Sequence, residues 1–477
     1  MNLRFKFACF LAYSLLPFFY CQDVQAQRPN IILVMSDDQG WGQTGYNNHP
    51  ILKTPNLDAM AKSGLRFDRF YAAAPVCSPT RAAVLTGRTN RRSGVESHGY
   101  CLRLQEKTLS QALQSAGYAT GHFGKWHLDG IRGPGVPILA SDTHSPGAFG
   151  FEQWISVTNF FDVDPIMSHR GRFQEYQGDS SEIIVDHAVE FISDISKQDR
   201  PFFAVIWYGT PHNPFRASEQ DRAAFKSMDE NSANQHGELV AMDRSVGTLR
   251  KALRDLKIAD NTIVWFTSDN GGLPKIKPST TNGLRGHKGS VYEGGLRVPG
   301  IVEWPAKIQP RVTSFPAVSM DIFPTIADVV GLDRSTMSKV IDGISLTDLF
   351  ESETNVRTQP IPFACMGNEA VIDNQWKIVS TKKNKAKNRL ELFHLKSDPF
   401  EKNNLIDSEP EKAVRMTSLL VDFRKSIRQS AAGKDYAEGS VNPENPKPRF
   451  WTEIEEYKPY FEQWKTRPEY SSRFQTK

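Results

Sequence analysis

Cys77 stands two residues before Pro79 and four before Arg81 in "CSPTR", at the head of the apolar run "AAVLTGR", which reads as a helix. The free N–H groups and positive dipole end of that helix favour an anion at position 77. Pro79 suits the first turn, and Arg81 comes back to the same helical end one turn later. Taken alone, these residues leave two readings open. Cys77 is either a disulfide partner or small buried hydrophobe, or a thiolate nucleophile activated by the helix end. A second set of residues carries carboxylates. Asp37 and Asp38 close the apolar stretch "NIILVMS", and Asp269 and Asn270 sit in "TSDNGG". Adjacent carboxylates on a strand point to opposite faces, but where a strand turns into a loop both can reach one ion. Together the four make an all-oxygen set that suits Ca²⁺ or Mg²⁺ rather than Zn²⁺; "DD" by itself would be a turn or a cap. Lys125 and His127 in "GKWH", His212 in "GTPH" and Lys288 in "GHKGS" supply cations and imidazoles. His122, His236 and His287 read as satisfied structural histidines.

These residues need elements to hold them. "NIILVMS", "YATGHFGK", "PFFAVIWYGT" and "NTIVWFTS" are near-continuous apolar runs, the pattern of strands buried on both faces. Between them lie helical patterns: "TPNLDAMAKSG", with Thr54 as cap, Pro55 at the first position and Gly64 closing it, then "TLSQALQSAG" and "HGELVAMDRSVGTLRKALRDL". The alternation predicts an α/β sandwich around a large, mostly parallel sheet flanked by helices. In such sheets ligands gather beyond the carboxyl ends of the strands, where Asp37, Asp38, His212, Asp269 and Asn270 all fall. From about residue 351 the pattern changes to short antiparallel strands and a helix near 410–428, a smaller C-terminal α+β domain after a main domain over 27–350. The basic run at 382–389 reads as a hairpin tip, with contact to an acidic polymer as the alternative. The aromatic tail after residue 448 is expected to pack back on the body.

The first residues read differently. Arg4 and Lys6 precede a short apolar core, and Val24 and Ala26 suit a signal-peptidase cut after residue 26. This predicts an exported protein, periplasmic or secreted, with no transmembrane segment after signal removal. The cut would remove two cations and one anion, lowering the formal net charge from +4 to +3, a balance that does not suggest a nucleic-acid partner. Of five cysteines, Cys77, Cys101 and Cys365 would remain. An odd count in an exported chain leaves at least one thiol unpaired or chemically changed.

"CSPTR" followed by "AAVLTGR" resembles the signature of the formylglycine-dependent type I sulfatases, arylsulfatase-like members of the alkaline phosphatase superfamily. Thr80 stands where serine is commoner, and the C-x-P-x-R core is intact. "NIILVMSDDQG", "TPNLDAMAKSG", "GYATGHFGKWHLD", "GTPHNPF", "TSDNGG", "GHKGSVYEGGLRVPGIVEWP" and "LFHLKSDPFEKNNL" follow in the family's order over about residues 28–425. The resemblance implies an alkaline-phosphatase-like fold and conversion of Cys77 to formylglycine (3-oxoalanine) by a maturation enzyme. One hydroxyl of the aldehyde hydrate attacks the sulfur of a sulfate ester, and the second later expels sulfate. It also implies one Ca²⁺ held by Asp37, Asp38, Asp269 and Asn270 with the residue at 77. Arg81 would orient the nucleophile, and Lys125 and Lys288 would neutralise sulfate oxygens. His127 would help collapse the sulfo-enzyme, and His212 would protonate the leaving alcohol. The expected substrate is a sulfated polysaccharide or its oligosaccharides, with segments 129–180 and 213–236, including Arg132, His169, Arg170 and Arg172, shaping sugar subsites. Two readings compete with this one: a formylglycine-dependent phosphonate or phosphodiester hydrolase, and an inactive calcium-dependent glycan-binding protein.

Overall fold

The structure, a computed structural model, describes residues 28–354, 356–382 and 388–474. The predicted signal segment and the middle of the basic run at 382–389 lie outside the described residues. Five strands run parallel at the centre of a ten-stranded sheet: β1 (Asn30–Ser36), β2 (Ala119–Lys125), β3 (Gln153–Val157), β4 (Phe202–Trp207) and β5 (Thr262–Ser268), in the spatial order β5-β1-β4-β2-β3. Beyond β5 the sheet continues through Gly300–Glu303, Leu65–Phe67 and Arg311–Thr313; beyond β3 it continues through an antiparallel hairpin, Ile166–His169 and Arg172–Glu175.

The period-2 alternation of β1 divides the core in two. Ile31, Leu33 and Met35 face helices Cys77–Thr86, Leu109–Ser115 and Ile322–Val330, while Ile32 and Val34 face Pro55–Ser63, Ser180–Ser196 and Glu230–Asp255. Both sides of the sheet are thus covered, which is why β1, β4 and β5 contain no polar alternation. Each fully buried aliphatic side chain contributes about 1.5–3 kcal/mol.

Two details of the helices differ from the sequence expectation. Thr54 occupies the N-cap position but does not cap: its hydroxyl donates to Asp58 Oδ1 at 2.9 Å and accepts from Gly45 N at 2.8 Å. The long helix begins at Glu230, capped by Asp229, so His236 lies inside it rather than at its start. Among the described residues neither nitrogen of His236 has a side-chain partner, and its ring packs edge-on to His49 and Phe225. His122 is bonded on one side only, Nδ1 to Ser156 Oγ at 2.7 Å, and His287 Nδ1 lies 3.0 Å from Lys288 O.

Four antiparallel strands, Ile361–Cys365, Asn368–Asp373, Trp376–Lys382 and Asn388–His394, form the C-terminal sheet. One face packs Ile361, Phe363, Ile372 and Phe393 against Tyr71, Val76 and Val318. The other packs Val371, Ile378 and Leu392 under Met416 and Leu420 of helix Pro410–Ala431. Val76 is the N-cap of the Cys77 helix, so this small sheet buttresses the helix mouth. The tail packs where the sequence left its place open. Trp451, Ile454, Tyr457, Trp464 and Tyr470 close over Ile131, Val136 and Ile166, and Arg449–Phe450 pairs parallel with Ile131–Arg132. Among the described residues Cys77, Cys101 and Cys365 are buried and form no disulfide.

Candidate active site

Each parallel strand delivers its polar residues at its carboxyl end. β1 stops at Ser36, and the chain turns through Asp38, whose φ of +68° lies in the left-handed region. Aspartate is among the few residues that accept this conformation. The turn directs both carboxylates into one cluster, so Asp37 and Asp38 escape the opposite-face rule of a strand. Asp38 N donates to Asp269 Oδ1 at 3.1 Å, and Asn270 Nδ2 donates to Asp38 Oδ1 at 2.8 Å. The ends of β1 and β5 are thereby tied together.

Three cations face these three carboxylates. Arg81 Nη2 lies 2.8 Å from Asp269 Oδ2 and 3.9 Å from Asp37 Oδ2. Lys125 Nζ, at the end of β2, lies 2.5 Å from Asp37 Oδ2, and Lys288 Nζ lies 2.6 Å from Asp38 Oδ1. Arg81 also stacks over the Trp207 ring at 5.1 Å. Cys77 occupies the first helical position, with Thr80 Oγ1 bonded to both N and O of Ala74, which fixes the turn entering the helix. This accounts for a hydroxyl residue at position 80 whether serine or threonine.

Among the described residues, ligand atoms of Asp37, Asp38, Cys77 and His212 all lie within 4.8 Å of one another. His212 Nδ1–H donates to Asn213 O at 2.5 Å, and Nε2 lies 3.7 Å from Asp38 Oδ2. Its ring stacks on Phe160 with centroids 4.5 Å apart and planes 9° from parallel. The His212 and Lys288 side chains retain 17% and 21% exposure while Asp37, Asp38, Arg81 and Lys125 have none, so the site opens past these two.

Burial shifts these groups as expected. Burial pushes the Cys77 thiol up to about 12; Lys125 and Lys288 oppose this, and Asp269 and Asp37 add to it. Burial therefore works against a thiolate at this position, and among the described residues no second cysteine pairs with Cys77. Burial and the nearby Asp37 raise Asp269 to about 6 against the pull of Arg81 and the two lysines. Burial works against the charge of Lys288, but Asp38, Asp37 and Asp269 raise its pKa overall. Burial, then Lys288, holds His212 well below the ordinary imidazole range; burial, then Lys125, does the same to His127. Both shifts disfavour the charged imidazolium. His127, at φ +57°, has both nitrogens buried and unpartnered.

The residues present fit a divalent cation. Asp37 Oδ1 and Asn270 Oδ1 are buried acceptors with no hydrogen-bond partner, an arrangement that is costly unless something else binds there. With three carboxylates already balanced by three cations, a divalent ion would give the cluster a net positive charge suited to an anionic ester.

All ten residues singled out from the sequence belong to this cluster or border it. The subsite residues divide. Arg132 lies against Gly99 and Tyr100 beside the mouth. His169, Arg170 and Arg172 do not reach it: His169 pairs with Ile155 and Arg170 N donates to Trp154 O, short of the carboxyl end of β3, and both arginines are solvent-exposed. An antiparallel hairpin reverses direction, so its turn lies at the far end of the sheet edge. Phe160, which stacks on His212, was missed: it lies in a connecting segment with no motif of its own, and only the fold brings it to the site.

Residues 29–332 match the family described as Sulfatase, and residues 286–426 match "N-sulphoglucosamine sulphohydrolase, C-terminal". Arylsulfatase A of Homo sapiens is 33% identical over 363 residues, covering 68% of this chain and 68% of that protein. N-acetylgalactosamine-6-sulfatase of Sus scrofa is 34% identical over 354 residues, 67% of this chain and 65% of that one. The chain thus spans about two thirds of the length of these relatives. Among solved structures, Ps i-CgsB in complex with k-i-k-neocarrahexaose aligns with a TM-score of 0.73 at 26% identity, covering 94% of this chain and all of that one. The family match and the sulfatase relatives support a sulfuric ester hydrolase on an alkaline-phosphatase-like fold. The chain belongs to the sulfatase family.

Proposed function

We propose that the protein is an exported sulfatase that removes sulfate from sulfated polysaccharides or their oligosaccharides. The observation that carries the proposal is the position of Cys77, at a helix mouth within one ligand cluster with Asp37, Asp38 and His212. As formylglycine, the residue at 77 supplies a gem-diol nucleophile that can release the sulfate it accepts, which serine could not. Asp37, Asp38, Asp269 and Asn270 would hold Ca²⁺ next to it, and the ion would supply a Lewis acid for a sulfate oxygen. Lys125 and Lys288 neutralise the remaining sulfate oxygens. Arg81, paired with Asp269 and packed on Trp207, holds the helix end against the carboxylates.

With Nδ1–H donated to Asn213 O, Nε2 is the His212 nitrogen that faces Asp38 and the one placed to pass a proton to the leaving alcohol. The unpartnered nitrogens of His127 suit a proton acceptor in the second half of the cycle. A glycan substrate is supported by the amino-sugar sulfate in the name of the Sus scrofa relative and by the neocarrahexaose bound to Ps i-CgsB. A domain break near residue 350 fits the change from the parallel sheet to the antiparallel one.

The test is the mass of the tryptic peptide containing Cys77 from protein made with a formylglycine-generating enzyme. Replacing SH₂ by O lowers it by about 18 Da. Sulfate release that requires this loss supports the proposal, and equal release from unmodified protein overturns it. A phosphonate ester turned over faster than the sulfate ester would favour the phosphonate hydrolase reading instead.

A further inference from the structure

Arg132 is a half-buried cation beside the mouth of the site that has no carboxylate within ion-pair distance and no hydrogen-bond acceptor among the described residues; its Nε is buried and unpartnered. Such a group is costly to leave unsatisfied. The fold nevertheless holds it closely. Its stem crosses Gly99, at φ +69°, so tightly that a Cβ there would lie 2.5 Å from Arg132 Cγ. Its guanidinium carbon lies 5.9 Å from the Tyr100 ring centroid, and its backbone pairs with Phe450 of the tail. The same turn is tied to the catalytic helix, because Gly99 N donates to Ser78 Oγ at 2.9 Å, one residue past Cys77. His98 precedes Gly99 in the chain, and burial, then Arg132, Lys288 and Lys125, hold it below the ordinary imidazole range. Arg170 and Arg172 also lack carboxylate partners, but they are solvated and lie away from the cluster.

We propose that Arg132, set by Gly99 and flanked by Tyr100 and His98, receives a second anionic group of the substrate, a carboxylate or a further sulfate on the sugar bearing the scissile ester or on its neighbour. Planar guanidinium matches either oxyanion with paired N–H donors. This rests on the sulfatase reading and narrows it to glycans carrying two negative groups close together.

The test compares matured wild-type enzyme with R132Q and R132K on three sulfated disaccharide probes: one sulfate alone, one sulfate with a uronate carboxylate, and two sulfates. We expect the wild type to prefer a doubly anionic probe. R132Q should raise KM on that probe roughly 10–100-fold, the range of a charge-assisted hydrogen bond, with kcat and the singly sulfated probe nearly unchanged. R132K should recover part of the loss. Which doubly charged probe responds identifies carboxylate or sulfate. R132Q lowering all three probes alike, with thermal unfolding unshifted, overturns the proposal, as does a wild type indifferent to the second charge; in both cases the sulfatase reading stands. A wild type that releases sulfate from none of the probes nor from an aryl sulfate overturns both.

Discussion

Two of the mixed-charge clusters that the protein buries differ in what they leave free. At the carboxyl ends of β1 and β5, three aspartates meet Arg81, Lys125 and Lys288. Between the C-terminal sheet and the small three-stranded sheet that holds Tyr71, Lys377 Nζ lies 2.9 Å from Glu293 Oε1 and 2.9 Å from Glu401 Oε1, Tyr71 donates to Glu293 Oε2 at 3.1 Å, and Glu293 N donates to Glu401 Oε2 at 2.7 Å. Burial is near complete in both, and ionisable groups in both are shifted. Among the described residues the first cluster keeps oxygens of Asp37 and Asn270 without a donor, holds Cys77 beside its carboxylates and opens past His212 and Lys288. The second is shut between two sheets and has no opening of that kind. Buried charge alone therefore does not mark a functional site; acceptors left free beside an opening do.

Four measurements bear on that contrast. Cys77→Ser should lower sulfate ester turnover roughly 10³-fold or more while the folded protein persists, because the oxygen left in place lacks the second hydroxyl. Near wild-type turnover would mean that the helix mouth does not supply the nucleophile. Lys377→Met should do the reverse, lowering unfolding stability by about 3–5 kcal/mol in denaturant titrations, because two buried carboxylates lose their cation. Its kcat per folded molecule should stay within about twofold; a larger fall would show that the sealed cluster is coupled to the chemistry.

Added calcium at about a hundred times its Kd should raise stability by about 2.7 kcal/mol. Asp37→Asn should cancel that gain, and a wild type unaffected by calcium and chelator alike would count against the open cluster as a metal site. Phe160→Leu is the smallest change. Losing the stack under His212 should cost about 0.5–1.5 kcal/mol of transition-state stabilisation, read as a fall in kcat on esters with poor leaving groups and little change on activated aryl sulfates. Equal loss on both classes would assign Phe160 a packing role only.

The parallel core was legible because strands buried on both faces are written as unbroken apolar runs, and because polar residues ending such runs can only lie at the strand ends. Thus Asp37, Asp269 and Lys125 could be placed from the sequence. Thr54 shows the limit of local rules: its sequence context fits a cap, yet Asp58 one turn on competes for the hydroxyl. His169, Arg170 and Arg172 show the limit of proximity along the chain. They share a segment with Arg132, but a hairpin turn carries them to the other end of the sheet edge.

The sequence by itself determined the kinds of chemistry present: a cysteine at a helix start with proline and arginine in register, oxygen donors for a hard cation, and lysines and histidines at strand ends. Residue types and short spacings fix these, since they depend on a few bonds and one period of local structure. Only the tertiary structure decided which of these groups meet. The left-handed turn at Asp38, the stack of Phe160 on His212, the crossing of Gly99 by Arg132 and the tail closing over residues 131–166 all join positions far apart in the chain or depend on their surroundings. Such contacts follow from how the sheet and its loops pack, and no local pattern in the sequence records them.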